Sequence, residues 1–169
     1  MPRVTVPADQ DPMMYVWGSL APHLTQPAGA FSHAVYESSV LALREFEAAR
    51  ISIARVNDCN ICLNWRSARD VPSRAASPDE APEAFYDAVL AEDYRDLTDR
   101  ERLCAEFATR FAVDHLAIDD DMWRELHANF TDEELVDLAL CVGSWIAFGR
   151  LNRVFDVDGA CRVGVPLPG

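Results

Sequence analysis

The sequence predicts an all-α protein, a single-domain bundle of about six to seven helices. Apolar residues recur at helical spacing along most of its 169 residues, and no segment alternates as a convincing strand. Two segments, Thr98-Asp-Arg-Glu101 and Thr131-Asp-Glu-Glu134, have the capping-box pattern that starts a helix. Half of the residues are hydrophobic, which is enough to bury a sizeable core.

Proline and glycine divide the chain into three parts. Residues 1–28 carry five prolines and are predicted to form an extended arm with short turns. Residues 29–158 form the predicted helical domain. Residues 159–169 contain three glycines and two prolines and are predicted to be irregular.

In the first half of the domain, the pattern predicts helices over 30–41 and 44–57. The second has a stripe formed by Phe46, Ala49, Ile53 and Val56. A helix starting near Cys59 follows to about residue 70, and then a loop over 71–78. Ser77 or Asp79 is the predicted cap of a helix that ends near residue 91.

In the second half, the capping boxes predict helices from 98 to about 112 and from 131 to about 149, with a shorter helix over 122–128 between them. The last helix is apolar over a wide face, so we expect it at the domain centre or in a subunit interface. Gly143 and Gly149 would allow another backbone to approach it closely.

The composition excludes several classes of function. A net charge of -13 argues against nucleic acid or an anionic membrane surface as a partner, because both need clustered cations. The chain contains no lysine, which excludes Schiff-base catalysis. The N-terminus lacks the apolar run of a signal peptide, and no apolar segment approaches ~18 residues. We therefore predict a cytoplasmic protein.

Cys59 and Cys62 form a Cys-x-x-Cys pair, the strongest sign of chemistry in the chain. At a helix start, the free N–H groups would favour a thiolate, and Arg66, one turn after Cys62, would add a positive charge. Redox chemistry is the preferred interpretation. Zinc binding is the first alternative, although a tetrahedral site usually takes four ligands and no second pair exists. Two inert thiols are the other.

Glu47 lies twelve residues before Cys59, at the head of an apolar row of its helix. If it is buried, its pKa would rise towards the range useful for proton transfer. The alternative is a solvated acid in the first turn of a helix. His33 could face the same site, but an ordinary half-exposed histidine is the simpler interpretation.

Together, Glu47 and Cys59-x-x-Cys62 resemble the carboxymuconolactone decarboxylase and alkylhydroperoxidase-D superfamily. The resemblance runs from about residue 30 to 157 and includes the Asn152-Arg153 pair of the closing helix. It implies an all-α fold of the alkylhydroperoxidase-D type and a homo-oligomer (a dimer, trimer or hexamer). It also implies Cys62 as the attacking thiolate, Cys59 as the resolving thiol and Glu47 as the general base.

The chain departs from the peroxidase pattern at Arg66, which replaces a histidine, and at Ile61, where a second histidine is expected. Arginine cannot be deprotonated in proteins, so it cannot be a base, but it can hold a thiolate or pair with Glu47. The lactone-decarboxylating branch generally lacks the cysteine pair, which argues against that activity.

The resulting prediction is a thiol-dependent hydroperoxide reductase that needs no cofactor and no metal. Its partners would be a small hydroperoxide and an external dithiol or protein reductant. Three alternatives stay open: a disulfide reductase or redox adaptor, a non-redox enzyme that binds a small carboxylated ligand through Arg66, and a binding or structural oligomer with a vestigial site.

Overall fold

Nine α-helices and two 3₁₀ turns make up the computed structural model, which describes residues 1–157. The helices are Pro12–Gly18 (α1), Pro22–Ser38 (α2), Leu43–Val56 (α3), Asn60–Asn64 (α4), Ser67–Asp70 (α5), Glu83–Leu90 (α6), Asp99–Val113 (α7), Asp120–Asn129 (α8) and Asp132–Phe155 (α9). The 3₁₀ turns are Pro72–Arg74 and His115–Ala117. The all-α prediction is confirmed for these residues, whereas the predicted number of helices was too small. The predicted tail and Cys161 lie outside the described residues.

The N-terminal segment is helical where the sequence predicted an extended arm. Pro12 and Pro22 are the first residues of α1 and α2, and Pro27 lies inside α2. Proline suits the first helical position, because its fixed φ is close to the helical value and the missing N–H would have no partner there. The prolines therefore start these helices, and the extended conformation was wrong for residues 12–18 and 22–28.

Helix α3 lies at the centre of the fold. Every residue from 45 to 54 is buried, including two glutamates and an arginine. The helix packs mainly on α7, and also on α9 and α6. The polar side chains of a helix that is buried on all sides need hydrogen-bond or charge partners inside the protein. This requirement shapes the site described below.

The N-termini of α3, α7 and α9 meet at one end of the fold. The capping boxes Thr98–Glu101 and Thr131–Glu134 are both formed, as the sequence predicted. Arg100 pairs with Glu45 of α3 and with Glu134 of α9, at 2.5 and 2.6 Å. These ion pairs fix the three helix starts relative to one another.

Two predictions for residues 59–91 were wrong. The helix that starts after Cys59 is split into α4 and α5, because Trp65 and Arg66 are extended. The Cys62 carbonyl, which an unbroken helix would bond to the N–H of residue 66, instead accepts from the Arg50 side chain at 2.7 Å. The next helix, α6, follows Pro82, so neither Ser77 nor Asp79 caps it.

Within residues 1–157, no helix combines the length and the apolar character that crossing a bilayer requires.

Candidate functional site

Cys59 and Cys62 form a disulfide at the start of α4. Helix α3 ends at Val56, and Asp58 takes a positive φ of 49°, which turns the chain so that Cys59 can cap the next helix. Cys59 is fully buried. Cys62 is partly exposed and lines a cavity of about 210 Å³. The two cysteines therefore differ in their access to the cavity, because Cys62 lines it and Cys59 does not.

Glu47 is fully buried in α3, so the solvated alternative was wrong. Both of its oxygens accept from Arg50 at 2.8 Å, and one also accepts from the Ser67 hydroxyl. Burial raises the pKa of the carboxyl, but the charge and hydrogen bonds of Arg50 and the hydrogen bond of Ser67 outweigh it. The pKa is thus held below its ordinary value, which corrects the expectation that it would be raised.

Arg50 is the central residue of the site, and the sequence interpretation missed it. Its Nη1 donates to the Cys62 carbonyl and its Nη2 to the Trp65 carbonyl, each at 2.7 Å. Only 2% of its side chain is exposed, yet it lines the same cavity as Cys62. Within the described chain, its four hydrogen bonds leave one of its five N–H groups, on Nη1, without a partner.

The sequence did carry one signal for this pair. Arg50 follows Glu47 by three residues, the spacing that places opposite charges side by side on a helix. An acid and a base at that spacing inside a strongly apolar helix indicate a buried ion pair, since neither charge could be buried alone.

Arg66 is turned towards α6, away from the position predicted for it. It pairs with Glu83 at 2.8 Å, its guanidinium stacks 4.0 Å from the centre of the Tyr86 ring, and it donates to the Leu63 and Trp65 carbonyls. A pair with Glu47, one of the two roles considered for Arg66, does not form, because Arg50 already occupies both carboxylate oxygens. Arg66 instead anchors the link between α4 and α5 to α6.

Aromatic side chains form much of the cavity next to Cys62: Tyr36, Trp65, Trp145 and Phe148. The indole nitrogens of Trp65 and Trp145 are buried without a hydrogen-bond partner of ordinary geometry among the described residues. Burial raises the pKa of Tyr36 and outweighs the opposing charge of Arg50, so its hydroxyl stays protonated. The two indole N–H groups are closed off from solvent, so the cavity has largely apolar walls, and its polar wall residues include Ser32, Arg50 and Asn152.

A wider cavity of about 510 Å³ adjoins the first. Residues of α2, α9 and the α4–α5 link belong to both walls: Ser32, Tyr36, Trp65, Phe148 and Asn152. His33 lines the wider cavity and is exposed, so the structure does not place it in the wall that contains Cys62. The two cavities share these five wall residues, and we call them together the cleft; Cys62 lines only the smaller one.

Cys104 and Cys141 are buried free thiols that line neither cavity. Burial raises the pKa of both, that of Cys141 to about 12, so neither forms a thiolate readily. Among residues 1–157, no group of three or more His, Cys, Asp or Glu side chains is arranged to hold a metal ion. Among the described cysteines, Cys59 and Cys62 are therefore the candidates for thiol chemistry.

Comparison with known proteins gives one weak similarity. The chain is 28% identical over 126 residues to the uncharacterized protein YnjA of Escherichia coli (strain K12). The match covers 72% of this chain and 64% of the E. coli protein, so less than two thirds of that protein is represented. No protein-family model and no solved structure matches the chain. Membership of the superfamily that the sequence resembles therefore stays a prediction.

Proposed function

We propose that the protein is a thiol-dependent hydroperoxide reductase in which Cys62 attacks the peroxide and Cys59 resolves the product. The observation that carries this proposal is the difference in access between the two sulfurs. Cys62 lines the cavity, and Cys59 is fully buried within bonding distance behind it. This is the arrangement that an attacking and a resolving thiol require.

The cycle starts with both cysteines reduced. The Cys62 thiolate attacks one peroxide oxygen, the O–O bond breaks, and the leaving alkoxide takes a proton to become an alcohol. Cys62 is now a sulfenic acid. The Cys59 thiol attacks its sulfur, the disulfide forms and water leaves. An external dithiol then reduces the disulfide by thiol–disulfide exchange and is itself oxidised to a disulfide.

Arg50 supplies the positive charge that favours the Cys62 thiolate. Helix α4 has only five residues, so its dipole adds little. The charge of Arg50 is fixed, and its remaining N–H group can bond to the thiolate or to a peroxide oxygen. This assigns to Arg50 the role that the sequence gave to Arg66.

Glu47 acts as a positioning residue in this mechanism. Its lowered pKa and its ion pair with Arg50 make it a poor proton acceptor, in contrast to the general-base role implied by the family resemblance. The protonated hydroxyl of Tyr36 is a better-placed donor for the leaving oxygen, because it lines the cavity.

The walls of the cleft favour an organic hydroperoxide over hydrogen peroxide. Tyr36, Trp65 and Phe148 continue from the smaller cavity into the wider one, where an apolar group would displace water. The alternative of a carboxylated ligand bound through Arg66 loses support, since Arg66 pairs with Glu83 and stacks on Tyr86.

Thiol counting with intact mass would test the proposal. Reduced wild-type protein, freed of reductant, would receive one equivalent of cumene hydroperoxide or hydrogen peroxide, with Cys59→Ser and Cys62→Ser treated alike. Wild type should lose two thiols, faster with cumene hydroperoxide, and Cys59→Ser should accumulate a sulfenic acid. Cys62→Ser should not react, and Cys104→Ser is the control for a buried thiol. An unreactive wild type, or equal reaction of Cys62→Ser, would contradict the proposal.

A further inference from the structure

An exposed apolar stripe runs along the outer face of α9. Its large members are Val136, Leu140, Leu151 and Val154, which are 60%, 54%, 37% and 65% exposed. Ala147, also exposed, and Gly143 fill the gap between them. We call these six residues the α9 stripe. They recur at intervals of three or four, so they lie on one side of the helix over about 27 Å.

The stripe is separate from the face of α9 that enters the core. Leu135, Leu138, Val142 and Trp145 are buried on that face. The helix is therefore apolar on two faces, where the sequence predicted one wide apolar face. The core accounts for one face, and a stripe of this length on a solvent-exposed helix indicates an interaction surface.

The middle of the stripe allows close approach. A Cβ atom built on Gly143 would meet nothing within 4 Å, so open space lies in front of it. Ala147, one turn further on, adds only a methyl group. Two helices that cross at small residues come closer together than helices that meet at large ones, which increases packing between the larger residues at each end.

Charges at the two ends of the stripe are opposite in sign. Asp132 and Glu133 are exposed at its N-terminal end, whereas Arg150 and Arg153 are exposed at its C-terminal end. Each arginine already contacts a residue of its own chain: Arg150 donates to Asn57, and Arg153 pairs with Asp58. Both remain exposed, so a second carboxylate can reach them.

We propose that the α9 stripe binds the same stripe of a second copy of the chain, with the two helices antiparallel around a two-fold axis near Gly143. In this arrangement Val136 of one copy faces Leu151 of the other, and Leu140 faces Ala147. The acidic end of each helix then approaches the basic end of its partner, and the two helix dipoles oppose. A parallel pair would place like charges together.

Site-specific cross-linking would test the orientation. Val136→Cys/Leu151→Cys should form a covalent dimer with a short bismaleimide, because the thiol at position 136 of one copy faces the thiol at position 151 of the other. Val136→Cys alone should give far less product, since its two copies lie at opposite ends. Peptide mapping would identify the 136–151 link and exclude reaction at native cysteines. Efficient 136–136 linkage would instead overturn the antiparallel arrangement.

Sedimentation would test the surface itself. Wild type should be a dimer at micromolar concentration, and Leu140→Asp should weaken association by roughly a hundredfold or more, because the substitution occurs twice in a two-fold interface. Leu116→Asp is the matched control, since Leu116 is 82% exposed outside the stripe. Circular dichroism would confirm that both variants fold. A monomeric wild type, or a dimer insensitive to Leu140→Asp, would overturn the proposal. Thiol counting on these variants is a separate readout, so this result and that of the reductase test can be told apart.

Discussion

Replacing Arg50 with methionine should strongly destabilise the protein at neutral pH. The side chain of Glu47, 0% exposed, would lose its counter-charge. The Cys62 carbonyl would lose its side-chain donor, and the Trp65 carbonyl would keep only the one from Arg66. Removing one partner of a buried ion pair costs about 3–5 kcal/mol. Net stabilities are only about 5–15 kcal/mol, so urea unfolding of oxidised protein should show a large shift of the midpoint.

The pH dependence of this loss identifies its cause. In wild type, the lowered pKa of Glu47 contributes stability above the ordinary carboxyl pKa, and this is lost as the pH falls through the folded-state value. Without Arg50, the burial that its charge now outweighs should raise the pKa of Glu47 above its ordinary value. Between the ordinary and the raised pKa, the folded variant would bind a proton that the unfolded chain does not. In that range its stability relative to wild type should fall as the pH rises, by at most about 1.36 kcal/mol per pH unit.

Two further variants separate charge from packing. Glu47→Gln/Arg50→Met removes both charges, so it should recover part of the stability and lose the extra pH dependence. Arg55→Met, on the same helix, breaks a pair with Glu92 that is partly exposed and should cost only about 0–1 kcal/mol. An Arg50→Met loss below about 1 kcal/mol, or one that is constant with pH, would refute the assignment of a buried, mutually dependent pair.

Two other predictions concern α9 and the thiolate. Gly149→Ala should destabilise the protein by about 1–3 kcal/mol, because its Cβ would lie 2.5 Å from Asn57 Nδ2. Gly143→Ala on the same helix, with open space in front of it, should instead stabilise by about 0.5–1 kcal/mol; thermal unfolding of dilute protein would compare them. Arg66→Ala should leave the ultraviolet thiolate titration of Cys62 unchanged, and a raised Cys62 pKa would return the counter-charge role to Arg66.

The parts of the fold that were predicted correctly depend on local sequence signals. The capping boxes at Thr98 and Thr131 located the starts of α7 and α9, because the bonds that form them lie within four residues. The apolar stripe of Phe46 and Ile53 similarly located α3 to within one residue at each end. Proline was the local signal that misled the prediction of the N-terminal segment. A proline starts a helix or interrupts one according to its position, and the sequence does not show which position it occupies.

The parts of the site that were missed depend on distant contacts. Arg66 pairs with Glu83, seventeen residues away. No local sequence pattern shows whether Arg66 pairs with Glu83 or with Glu47. The break in the helix after Asn64 arises because carbonyls of this segment bond to Arg50 of another helix. The cysteine pair and the buried acid were identified from residue type and spacing, whereas their partners required the packing of α3 against α4 and α5.

Two hydrogen bonds of Arg50 reach the main-chain oxygens of Cys62 and Trp65, which take no part in the disulfide. Reduction would change neither acceptor, so we expect the segment that carries Cys62 to keep the same anchor in both oxidation states. Two thiols on a fixed loop react with each other at a high effective concentration. The disulfide can then form before a second peroxide reacts, so the main-chain hydrogen bonds of the buried arginine would protect Cys62 from irreversible oxidation.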